Sequence, residues 1–236
     1  MREKKEFERG SLYTITNYVW CFLLGNFYFT ITNILFIIAW LSINPKGTPS
    51  FNILTVISLL PTGPALVALL SAMGKLVREH DIDMTKDFFK AYRKNFLEAL
   101  FYWTILLIIL SIFYIDIIYF NTNVKFKLVK NILLVVAFII ISMAFYIFPI
   151  ISRFYLRIKD VLKISFYYTI KKIHITILNL VCLGGLSYIS MKTSSPILFF
   201  FFWSVFCFLI MFNEKSILVE IEEKYVSSKG KYQSPQ

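Results

Sequence analysis

Across its 236 residues the chain is 58% apolar and carries 25 Lys and Arg against 14 Asp and Glu, a formal charge of +11. Several apolar runs exceed the ~20 residues that cross a hydrocarbon core of ~30 Å, which excludes an ordinary water-soluble fold. The longest polar stretches are about 18–20 residues, too short for an independent core, so residues 1–236 read as one membrane domain.

In chain order, Arg2, Lys4, Lys5 and Arg9 precede an apolar run over 18–43. That run outlasts the ~7–15 residues of a signal-peptide core, and no small-x-small cleavage site closes it, so it is expected to stay as a first span. Trp20 and Trp40 lie ~30 Å apart along such a helix, one indole for each interface. Further apolar runs follow at 51–77, 96–120, 124–152, 173–191 and 196–212, and residues 213–236 read as a tail. Basic residues resist translocation. Twenty of the 25 fall in the N-terminal tail, the 78–95 loop with its neighbour Lys75, the 153–172 loop and the C-terminal tail. Only Lys46, Lys125, Lys127, Lys130 and Lys192 occupy the other connections. The expected fold is all-α, a polytopic bundle of six transmembrane helices with both ends inside. On such a chain the positive charge meets the lipid bilayer, at about 1 kcal/mol per residue near anionic head groups. No aromatic–basic module for nucleic acid accompanies it.

Two basic loops carry helical periodicity. In 84–96, Phe88, Tyr92 and Phe96 recur at i, i+4, i+8, while Lys86, Lys90, Arg93 and Lys94 take other faces and Asp83 supplies an N-cap. In 159–173, Leu162, Phe166, Ile170 and Ile173 repeat the pattern against Lys159, Lys163, Lys171 and Lys172. Both read as short amphipathic helices lying on the inner leaflet and running into the next span. The functional alternative is a docking surface for a cytoplasmic partner, carried by Lys90, Arg93, Lys94, Lys163, Lys171 and Lys172. The block Phe88–Lys94 also falls over Phe166–Lys172 at an offset of 78, a weak parallel repeat.

Within the spans, Pro61-Thr62-Gly63-Pro64 is the least ordinary segment. Proline donates no backbone hydrogen bond, and in a regular helix each costs ~3 kcal/mol and glycine ~1. A break is expected between about Ile57 and Ala65, with Pro64 opening a new half-helix and Thr62 near its cap. Two readings stay open: a structural kink, or a half-helix N-terminus presenting N–H groups to an anionic ligand. Asn26, Thr30 and Asn33 share one face of the first span, either as packing contacts between helices or as a cavity lining.

Chemistry-bearing groups are sparse. Asp116 falls near the outer interface, Glu98 and His174 at cytoplasmic ends, and His80 beside Glu79 and Asp81 in a loop, where it reads as solvated. No acid or base stands at mid-membrane for ion coupling. Cys21, Cys182 and Cys207 lie in apolar spans without ligand spacing. No nucleophile–base pair, metal cluster or nucleotide motif occurs. Neither catalytic residue nor cofactor is expected, and the chain does not read as an enzyme.

The opening Phe7-Glu8-Arg9-Gly10-Ser11-Leu12-Tyr13, with Asn17 and Asn26, resembles the YesL-like membrane proteins. So do Gly63-Pro64-Ala65 with Ala68-Leu69 and the basic end at Lys75 and Arg78, then Asp81-Ile82-Asp83, Phe88-Phe89-Lys90 and Asn95-Phe96. Beyond residue 100 the best matches are Phe148-Pro149 and Arg153-Phe154, and Leu66-Val67 departs from the small residues often found between the alanines. That family comprises small, uncharacterised bacterial integral membrane proteins, commonly found near carbohydrate ABC importers. The resemblance implies a multi-pass protein of the bacterial plasma membrane, serving as accessory or assembly partner of such an importer. An independent small-solute transporter or channel, working through the broken second span, is the alternative from the residues.

Reporter fusions after Gln236 and within 80–90 or 158–165 should read cytoplasmic, and those at Lys46, 121–125 and 192–194 exterior. An exterior signal from the 80–90 loop would overturn the topology.

Overall fold

The computed structural model describes residues 11–43, 53–121, 127–193 and 201–226. Expectations that fall on Arg2–Arg9, Lys46, Lys125, the 194–200 connection, the tail from 227 and the Trp40 side chain lie outside the described residues. Every described element is helical. The first half holds α1 (Ser11–Thr32), α2 (Ile34–Ile43), α3 (Ile53–Ser58), α4 (Thr62–Glu79) and α5 (Met84–Asn121). The second holds α6 (Lys127–Arg153), α7 (Ile158–Lys171), α8 (Ile173–Thr193), α9 (Phe202–Asn213) and α10 (Lys215–Ile221), with a π-helical turn over Glu222–Val226.

Four stretches are long and apolar enough to cross a membrane: Leu54–Glu79, Met84–Phe120, Leu128–Arg153 and Ile173–Lys192. Phe202–Asn213 and Lys215–Lys224, bent by 55°, raise the number to five if taken as one span. The six expected spans are therefore not all present among the described residues. The expected first span is interrupted at Asn33, between α1 and α2, and polar Thr and Asn side chains dilute its hydropathy. Within the expected sixth span only α9 is described, 12 residues or roughly 18 Å, too short to cross alone.

The helices gather their basic residues at one end. Near the start of α1, the Asn17 amide donates to the His80 carbonyl, and Tyr18 Oη lies 2.8 Å from His80 Nδ1. His80 is thus tied to α1 rather than simply solvated. It closes α4 in the left-handed region, at φ 62°, and donates its N–H to Leu76. At the same end Arg153, closing α6, pairs with Glu222, and Tyr155 Oη donates to Asn95 Oδ1 at 3.0 Å. Residues near both described ends of the chain therefore lie on the basic side.

Helix α4 is the axis of the bundle, enclosed by α1, α5, α6 and α9. Ala65, Val67, Ala68 and Leu69 are all 0% exposed. Apolar contact with lipid is as favourable as contact with another helix, so association depends on close packing, which small residues allow. Two glycines show this most sharply: a Cβ at Gly63 would collide with Trp103 of α5, and one at Gly74 with Met211 of α9. Val67 is fully buried although it is larger than the alanines near it.

Helix α5 runs unbroken for 38 residues, roughly 57 Å, so its first turns extend beyond a ~30 Å core. Asp83 caps it, accepting from the Lys86 amide at 3.2 Å, and Lys86 holds the Asp83 carboxyl below the usual carboxylate range. The 84–96 segment runs directly into the following span as one helix, with Phe88 turned inward rather than toward a leaflet. Phe88 is 0% exposed and packs on Tyr28 of α1, with ring centroids 5.7 Å apart, because the aromatic row closes the bundle. Helix α7 is separate, and its Leu162, Phe166 and Ile170 are 42–60% exposed. Its buried face is Val161, Ile164, Ser165, Tyr168 and Thr169. Phe88 and Phe166 thus have opposite environments, and the 78-residue offset has no structural counterpart.

Replacing Gly63 by Ala should destabilise the protein by about 1–3 kcal/mol through overpacking. In a Trp103→Ala background most of that increment should disappear, as read by denaturant titration in detergent micelles.

Candidate functional site

Two features singled out in the sequence meet inside the bundle. The α3–α4 break occupies residues 59–61, and α4 starts at Thr62 with Pro61 before it and no side-chain cap. Its polar groups are internally taken. The Trp103 indole N–H donates to the Leu59 carbonyl at 2.8 Å, and the Thr62 hydroxyl donates to Asn33 Oδ1 at 2.6 Å. The Asn33 amide donates to the Phe29 carbonyl at 2.7 Å. Asn26, 1% exposed, accepts from the Trp203 amide at 3.2 Å and so caps α9 across the bundle. The Thr30 hydroxyl turns back to the Asn26 carbonyl. Asn26 and Asn33 of the polar face therefore bond helix to helix, while Thr30 bonds within α1. Trp103 and Asn33 thus both stand against the start of α4.

The open polar space is elsewhere. At the basic end, α4, α5 and α6 leave a cavity of about 220 Å³. From α4 come Ser71, Lys75, Arg78 and Glu79; from α5 come Asp87, Lys90, Lys94 and Asn95; Arg153 and Tyr155 complete the wall. Lys75 Nζ lies 2.9 Å from both Asp87 carboxylate oxygens and 3.7 Å from Glu79, which joins α4 to α5 across their connecting turn. Arg153 is held by Glu222. Among the described residues Arg78 has neither an ion pair nor a hydrogen bond; Arg153 acts on it as a neighbouring like charge, and Glu79 and Glu222 act on it with the opposite sign. Lys94 lies over the Tyr155 ring, 5.4 Å from its centroid. Partial burial, and then Glu98, raise the Tyr155 phenol above its usual range, so it remains the donor to Asn95. Asn95 is 6% exposed, and its amide NH₂ has no partner among the described residues.

Lys90, Arg93, Lys94, Lys163 and Lys171 are exposed and Lys172 is half-buried. They do not form one patch: Lys90 and Lys94 line the cavity, while Lys171 pairs with Glu220 at 3.3 Å and lies over Tyr167.

Glu214 is a further group that the sequence reading assigned to the tail. It is 1% exposed at the α9–α10 bend, and its Oε1 accepts from the Asn179 amide at 2.8 Å. The Asn213 amide in turn donates to Asn179 Oδ1. Counting six residues of α8 from Ile173, Asn179 lies roughly 9 Å inward from the basic end. Ile217, Leu218 and Ile221 are buried, so α10 is packed structure and not free tail. Their spacing, i, i+1, i+4, is the signal that marks the segment as an amphipathic helix.

Residues 15–117 match the model of the family described as protein of unknown function, DUF624. The YesL-like proteins fall within it. No curated protein and no solved structure matches the chain. The matched stretch covers nearly all of α1–α5, including the cavity walls from α4 and α5, and ends before Arg153.

Glu222→Gln should leave Arg153 without its carboxylate partner and loosen α10 selectively. Amide hydrogen exchange in 215–221 should quicken about fivefold, for a loss of ~1 kcal/mol, with α5 unchanged.

Proposed function

We propose that this protein is an integral membrane accessory or assembly partner of a bacterial carbohydrate ABC uptake system, located in the plasma membrane with its basic end in the cytoplasm. The observation that carries the reading is the exposed surface of α7, where Leu162, Phe166 and Ile170 stand beside Lys159 and Lys163, uncovered among the described residues. An apolar row flanked by cations suits either the inner leaflet or an importer subunit at its surface. The importer is supplied by the YesL-like resemblance, an analogy of family rather than of site chemistry. Six basic residues on or beside the 78–95 segment and six on 153–172 favour the cytoplasmic placement.

The alternative is an independent small-solute transporter or channel working through the broken second span. It draws on the break at residues 59–61, whose polar groups bond to Trp103 and Asn33. Glu214 is the buried acid that such a reading would use, although it sits toward the basic end rather than at mid-membrane.

Deleting the gene should lower uptake of one oligosaccharide class. Charge reversal at Arg93 and Lys163, both outside the cavity, should reduce recovery of importer subunits with the tagged protein while insertion is preserved. Sugar transport by the purified protein alone in liposomes would replace this reading with the transporter.

A further inference from the structure

We infer that the cavity between α4, α5 and α6 is a binding site for a phosphate-bearing anion, with Arg78 and Asn95 as its principal donors. The inference stands independently of the importer reading.

Charge balance gives the sign. Lys75, Arg78, Lys90, Lys94 and Arg153 contribute five positive charges to the lining, and Glu79 and Asp87 two negative ones. Subtracting Glu222 as well, because it holds Arg153, leaves two positive charges. The C-termini of α4 and α6 also converge here, at about half a negative charge each. Roughly one positive charge remains from the lining once Glu222 and the two helix ends are counted, so an anion is favoured.

Hydrogen-bond capacity gives the class. The carboxylates of Asp87 and Glu222 are occupied by Lys75 and Arg153. The Arg78 guanidinium, on an exposed side chain, and the amide of Asn95, a residue 6% exposed, have no hydrogen-bond partner among the described residues. Both line the cavity as open donors, and a ligand rich in acceptor oxygens matches them. A guanidinium fork matches two phosphate oxygens, and an anion beside Arg78 also relieves its repulsion with Arg153. A metal cation is disfavoured by the same charges, and a neutral sugar would leave them uncompensated. The space of about 220 Å³ admits a phosphate group with accompanying waters.

The cavity opens where α4 and α6 end, the level of lipid head groups for helices that cross a membrane. The shared chemistry thus has two sources, an anionic phospholipid head group or free phosphate. The full chain would be reconstituted in nanodiscs of phosphatidylcholine, with and without phosphatidylglycerol. Radiolabelled inorganic phosphate binding and retention of phosphatidylglycerol by native mass spectrometry would be read in parallel. Saturable phosphate binding in phosphatidylcholine discs identifies free phosphate as the source. Selective phosphatidylglycerol retention identifies the head group. In either arm Arg78→Gln should weaken binding roughly tenfold to a hundredfold, as for loss of a charged hydrogen bond, and Arg78→Lys should recover part of it. Asn95→Asp, which adds a carboxylate to the wall, keeps the test valid if Arg78→Gln does not fold. Arg93→Gln, outside the cavity, should bind as the parent does, and thermal midpoints identify variants that are merely unfolded. Failure of both probes to bind, or equal losses in Arg93→Gln and Arg78→Gln, would overturn the assignment.

Discussion

Backbone polar groups inside a membrane must find partners within the protein, and the break before α4 concentrates that constraint at one place. Residues 59–61 interrupt the helix, and local bonds such as Leu60 N–H to the Ile57 carbonyl are supplemented by bonds from other helices. Trp103 reaches Leu59 from α5, and Asn33 reaches Thr62 from the interruption between α1 and α2. Those two bonds fix α4 against its neighbours at its far end. The collision that any Cβ at Gly63 would make with Trp103 explains why glycine stands there. The consequence is an α4 surrounded on all sides, with small residues where helices approach and larger ones between them.

The opposite end of α4 is fixed by charge instead of by amide bonding. Lys75 bridges to Asp87, His80 turns the chain and meets Tyr18, and Arg153 holds the segment that follows α10. These contacts use the carboxylates available near the cavity and leave Arg78 and the Asn95 amide unmatched. A bundle stabilised at one end by neutral hydrogen bonds and at the other by ion pairs has its chemical potential for ligands at the charged end. The site thus differs in place and in kind from the one that a broken helix alone suggests.

Helicity, membrane character and the basic end were legible from the chain, because hydropathy and Lys/Arg placement are local and additive along it. The interruption before α4 was legible too, since proline acts on its own backbone, although the break falls at residues 59–61 and Thr62, Gly63 and Pro64 stand inside α4. Its role was not, because Trp103 lies far away in sequence and nothing local marks it as a donor to Leu59. The Phe88, Tyr92 and Phe96 row shows the same limit. Periodicity identified an apolar face but not what that face touches, and the structure turns it onto Tyr28 instead of lipid. Glu214 was missed because a polar pair after an apolar run reads as the end of a span, whereas Asn179 and the buried face of α10 draw it inside.

The sequence by itself determined that this chain is a helical membrane protein, that a helix breaks beside Pro61, and which ends carry positive charge. Those properties follow from residue type and spacing. Tertiary structure alone decided that α4 is central, that Asn26 and Asn33 bond helices together, that helices also break at Asn33 and bend at Glu214, and that Arg78, Asn95 and Arg153 share a wall. The physical reason is that hydrogen bonds and charge compensation depend on distances between residues far apart in the chain, and periodicity holds no information about those distances.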